Sequence, residues 1–98
     1  MRSIKEWQVE ITSYAIDHGF TWTPKDIDTM LLRLHSEVSE ASECARDENF
    51  EKLSEEFADI FIRLANMSEV MRIDLEKEVE KKHQKNLLRP KLHGRNRK

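Results

Sequence analysis

Ile4, Trp7, Ile11 and Tyr14 recur three or four residues apart near the start of the chain, the spacing of one helix face. Ser3-Ile4-Lys5-Glu6 stands before them in the Ser-x-x-Glu form of a capping box, and Gly19 offers the left-handed residue that closes a helix. Thr23-Pro24 restarts the pattern, Thr as N-cap and Pro at the first helical position. A second stripe runs through Ile27, Leu31, Leu34, Val38, Ala41 and Ala45 and stops before Asp47-Glu48-Asn49. Asn49 caps a third helix with its stripe at Leu53, Phe57, Ile60, Leu64, Met67 and Met71. Asp74 opens a shorter fourth helix to about Asn86, and Pro90 and Gly94 mark an irregular basic tail over about 87–98. Four helices with short connections predict one all-α, four-helix bundle-like domain over residues 1–98. No strand alternation or internal repeat competes with that reading.

Composition sharpens the picture in two ways. A chain of 98 residues buries only about 60–65% of its unfolded surface, so its core is thin and self-association is expected. No apolar run approaches the roughly 18 residues of a membrane span, and no signal-like segment opens the chain. The single cysteine, Cys44, excludes an internal disulfide and a cysteine-based zinc site. The expected location is the cytoplasm. Formal charge is −2, but it is unevenly placed. Residues 1–80 hold all 19 acidic side chains and 9 basic ones, a formal charge of −10. Residues 81–98 hold 8 basic side chains and no acid, an end suited to nucleic acid, to ligand phosphates or to the acidic body itself.

Chemistry enters with carboxylates beside the stripes. Glu37 and Glu40, like Glu56 and Asp59, stand three residues apart and therefore on one side of a helix. Glu37 falls about 60° from Leu34, beside Met30 and Ala41, and Glu56 about 100° from Phe57, beside Ile60 and Met67. If helices 2 and 3 are antiparallel neighbours, the two pairs converge. Converging carboxylates repel, and Mg²⁺, a hard cation with oxygen ligands, is the natural ion between them. Acid-x-x-acid pairs occur four times in the chain, however, and each alone reads as solvated helix surface; only the matched placement of these two beside neighbouring stripes points to a site.

"EVSE" followed by "EFAD", within "LLRLHSEVSEASECAR" and ahead of "EKKHQKNLLRPKLHG", resembles the MazG-like, all-α nucleoside triphosphate pyrophosphohydrolases. The resemblance covers about residues 4–94. It implies hydrolysis of a (deoxy)nucleoside triphosphate between its α and β phosphates, giving monophosphate and pyrophosphate, in nucleotide-pool control or house-cleaning. It implies that Glu37, Glu40, Glu56 and Asp59 hold Mg²⁺ (or Mn²⁺ in its place), with Glu37 or Glu40 as an alternative general base. It gives Lys82, Asn86 and Arg89, which share a face at the end of helix 4, contacts to phosphate oxygens. It also implies intertwined dimers, or dimers of dimers, with more than one chain shaping the nucleotide site. Trp22, before helix 2, and Trp7, on helix 1, are candidates to stack on the base.

Two other enzymatic readings and one non-enzymatic reading compete. Phosphoribosyl-ATP pyrophosphohydrolases share the fold and carboxylates. Glu80-x-x-His83 matches half of a ferritin-like di-iron motif, but only one copy exists. A helical interaction module with a nucleic-acid-binding basic tail is the non-enzymatic alternative. The favoured expectation is a nucleotide substrate and a second copy of the chain as partners, with neither membrane nor nucleic acid.

Overall fold

In a computed structural model, residues 1–90 are described, so positions 91–98 of the basic tail, Lys91 and Gly94 among them, lie outside the described residues. The chain forms α1 (Ile4–Asp17), a one-turn 3₁₀ helix (Pro24–Asp26), α2 (Ile27–Arg46), α3 (Phe50–Val70) and α4 (Leu75–Leu87). The all-α reading holds.

The helix ends follow from local chemistry. Ser3 and Glu6 form the reciprocal capping box, with Ser3 N donating to Glu6 Oε1 at 2.8 Å. Asn49 and Asp74 accept from the amides of Lys52 and Lys77, satisfying donors that the first turns of α3 and α4 leave free. Thr23 and Pro24 start the 3₁₀ turn, with Asp26 closing a second capping box, and α2 follows directly. Gly19 takes the left-handed conformation after α1 at φ 90°. After α2 the same conformation falls to Glu48, at φ 56°, where the Asn49 amide reaches back to the Cys44 carbonyl at 2.9 Å. This is the Schellman closure with a glutamate in glycine's usual place.

α3 is the central helix, with α2 packed against it as a hairpin partner and α1 also against it; α4 packs on α1. The result is more open than a closed bundle. The radius of gyration is 15.9 Å, against about 13 Å for a compact domain of 100 residues. Among the described residues, buried apolar side chains are few: Met30, Ala41, Ala65 and Met67. The stripes predicted from sequence are therefore wider than the chain's own core. Ala41 and Met67 turn inward, whereas Leu31, Val38 and Ala45 on α2 and Phe50, Phe57 and Leu64 on α3 are exposed. Each exposed set repeats every seven residues and so runs along one side of its helix. No helix among the described residues is long and apolar enough to cross a membrane.

On α1 the inward position belongs to a polar residue. Gln8 is fully buried, while Trp7 and Tyr14 are exposed, and Arg2 lies 4.8 Å above the Trp7 ring. The Gln8 amide donates to the Ile73 carbonyl at 2.8 Å and accepts from the Leu75 amide at 3.0 Å. It thus satisfies the backbone where α3 turns into α4, which the apolar pattern could not reveal. Gln8→Ala strands both groups and should cost about 1–3 kcal/mol, read as a lower midpoint in chemical denaturation.

Candidate metal and nucleotide site

The two acidic pairs lie on facing helices, and the hairpin brings them together. Carboxylate oxygens of Glu37 on α2 and of Glu56 and Asp59 on α3 all lie within 4.8 Å of one another. Glu40 falls outside this trio and is exposed, yet its charge is near enough to act on Glu56. Glu37 stands between the buried Met30 and Ala41 of α2, which hold that face against α3.

Glu56 is the unusual member. Only 2% of it is exposed, and its Oε1 is buried without a hydrogen-bond partner. Oε2 lies 4.0 Å from Lys52 Nζ, a half-exposed ammonium too distant to satisfy the carboxylate. Burial raises the Glu56 pKa above the usual carboxylate value, and the neighbouring carboxylates of Glu37, Glu40 and Asp59 raise it further. A buried anion with an orphaned oxygen, beside two further carboxylates, fits a hard divalent ion that takes oxygen ligands and keeps several waters. No histidine or cysteine belongs to the trio, so the donor set fits Mg²⁺ or Mn²⁺ better than zinc.

This has a testable pH signature. A carboxyl with a raised folded pKa favours the fold when protonated. The Glu56 contribution to stability is thus greatest below about pH 4.5, its ordinary value, and is lost as pH rises through the raised one. Without metal, Glu56→Gln should therefore melt above wild type near neutral pH. That gap should close in acid, as thermal midpoints across pH would record.

Glu37 and Asp59 also form one wall of a cavity of about 410 Å³, within the usual range for small-molecule sites. Ile11, Tyr14 and Ala15 of α1, Phe20 and Trp22 of the following loop, Arg33 of α2, and Ile62, Arg63 and Asn66 of α3 complete it. Phe20 and Trp22 stack at 6.3 Å between centroids, and the Arg33 guanidinium lies 5.2 Å above the Trp22 ring. Thr12 donates to Asn66 Oδ1 at 3.0 Å, which fixes the amide beside the cavity.

The cavity joins acidic groups to aromatic faces in one chain that also carries the paired Glu-x-x-Glu and Glu-x-x-Asp spacing. The family model of the MazG nucleotide pyrophosphohydrolase domain matches residues 25–93. The chain belongs to the MazG family. No curated protein and no solved structure matches it.

The MazG match spans α2, α3 and α4 but stops short of α1 and Trp22, which supply much of the aromatic wall. Trp22 lines the cavity; Trp7 does not. Lys82 and Asn86 line a different hollow on α4, with Leu75, Val79 and His83, and Arg89 is exposed beyond the end of that helix. Within the single chain, α4 therefore does not deliver its basic residues to the cavity. Glu80 and His83 are not part of the acidic cluster, which is the one group of three or more potential ligands among the described residues. Arg33, Tyr14, Phe20 and Asn66 are among the cavity residues that the sequence reading missed. They are ordinary helix and loop residues whose meeting depends on how α1 packs across α3.

Proposed function

We propose that this MazG chain is a Mg²⁺-dependent nucleoside triphosphate pyrophosphohydrolase. It releases monophosphate and pyrophosphate by cleavage between the α and β phosphates. The observation that carries the reading is the buried Glu56 carboxylate, with one oxygen unpartnered, among acids that open onto an aromatic cavity of about 410 Å³. Glu37, Glu56 and Asp59 hold the ion, with Glu40 at its edge. Bound there, Mg²⁺ supplies Lewis-acid charge neutralisation and a water of lowered pKa. Glu40, outside the trio and open to solvent, takes the proton from the attacking water as the bond to the pyrophosphate leaving group breaks. Trp22 gives the base a stacking face, worth about 1–3 kcal/mol.

Lys82, Asn86 and Arg89 bind phosphate oxygens in an assembly of two or four chains, where α4 meets the acidic wall of a second copy. The unpartnered apolar rows of α2 and α3 support that assembly, because they give a thin-cored chain something to bury. Deoxynucleotides of the intracellular pool are the proposed substrates.

Pyrophosphate release across a panel of ribo- and deoxynucleoside triphosphates, with and without Mg²⁺, tests the reading. Cleavage confined to phosphoribosyl-ATP would reassign the substrate. If no nucleotide is cleaved and the chain binds nucleic acid instead, it is an interaction module.

A further inference from the structure

The acidic wall already holds a cation of its own. Arg63 Nε donates to Glu37 Oε1 at 2.9 Å, and only 13% of the Glu37 side chain is exposed. Arg63 stands one helical turn beyond Asp59 on α3 and lines the cavity alongside Trp22 and Asn66. The bond to Glu37 uses Nε, so the two terminal nitrogens of the guanidinium fork remain as donors. Arg33, the other arginine of the cavity, lies over the Trp22 ring instead. Lys52 reaches only to 4.0 Å from Glu56 and is half exposed. Glu37 thus has two claimants, Arg63 and any divalent ion among the trio. Two cations drawn to one partly buried carboxylate repel each other strongly at such distances.

We propose that Arg63 is an exchangeable counter-ion. It neutralises Glu37 while the metal is absent, yields that carboxylate when Mg²⁺ enters, and offers its fork to phosphate oxygens in the cavity. The idea rests on the nucleotide-hydrolase reading and adds an order of events to it. Metal binding frees the anion-binding arginine, so metal and nucleotide bind with positive coupling. A bidentate fork suits phosphate as well as it suits carboxylate, which makes the transfer chemically natural. The contrary arrangement is an arginine that stays on Glu37 and braces it as a metal ligand. The two differ in the sign of one measurement.

Calorimetric titration of Mg²⁺ alone into the metal-free full chain compares wild type with Arg63→Gln and Arg63→Lys, circular dichroism confirming the helices. Exchange requires Mg²⁺ to bind Arg63→Gln tighter than wild type, by about fivefold. An α,β-methylene analogue of the best substrate, with Mg²⁺ saturating, should bind that variant about 10- to 100-fold more weakly. Arg63→Lys keeps the charge without the fork, so its Mg²⁺ affinity should stay near wild type while its affinity for the analogue falls. Unchanged or weaker Mg²⁺ binding by Arg63→Gln, or unchanged analogue binding by either variant, overturns the exchange. If Arg63→Gln loses its helices, the two Arg63→Lys affinities decide. Wild type that binds neither Mg²⁺ nor the analogue removes the nucleotide-hydrolase reading itself. Wild type that binds both, with the variant's sign reversed, removes only the exchange.

Discussion

Glu56→Gln should abolish turnover and leave the fold intact. The substitution keeps the volume of the side chain and removes the one buried anion of the site. Loss of groups that merely support a metal ligand costs about 10–100-fold in affinity or activity, so loss of a ligand itself should exceed that. Stability should move the other way. Wild type holds a carboxylate out of water with one oxygen unpartnered, and the neutral amide is cheaper to bury. Helicity by circular dichroism, assembly size by light scattering, and pyrophosphate release measured on the same preparation separate these effects. Retained turnover would remove Glu56 from the site, and loss of helicity would make its role structural. A variant that is inactive, folded and more resistant to heat without metal is the expected combination.

Phe57→Asp should dissociate the proposed assembly. Phe57 is 61% exposed in the single chain, although it sits at a stripe position on the central helix with Phe50 and Leu64 in line with it. A phenylalanine buried between copies contributes about 3 kcal/mol or more, and each 1.4 kcal/mol is a factor of ten in an equilibrium constant. The dissociation constant should therefore rise by at least about 100-fold, with the charge of the aspartate adding to it. Sedimentation across a dilution series would show this as a shift to monomer at concentrations where wild type remains associated. Turnover should fall with it, because Lys82, Asn86 and Arg89 line no part of the acidic cavity in their own chain. An unchanged mass would show that this row is not the interface. Turnover undiminished in a monomer would show that one chain suffices.

The contrast between Glu56 and Phe57 marks how far periodicity alone reaches. Both were legible as positions on α3, yet their environments came out reversed from ordinary expectation: the acid is buried and the aromatic exposed. A stripe records every apolar contact a helix makes, whether with its own chain or with another, and it does not divide them. The acidic pairs were legible for a different reason. Residues three apart must share a side of a helix, and a tight turn between α2 and α3 leaves little choice but an antiparallel hairpin. Gln8 was illegible because a buried amide is set by the backbone groups it meets, and those lie more than sixty residues away.

The chain by itself determined four helices, most of their caps, and the side of its own helix on which each carboxylate pair lies, since all of these depend on neighbours within a few residues. Tertiary packing decided that Glu37, Glu56 and Asp59 draw within 4.8 Å while Glu40 stays at the rim. Packing of α1 across α3 also decided that Tyr14, Trp22, Arg33 and Asn66 enclose the space beside them. The reason is geometric: a helix fixes the direction of each side chain about its own axis, but only the crossing of helices fixes the distance between groups on different ones.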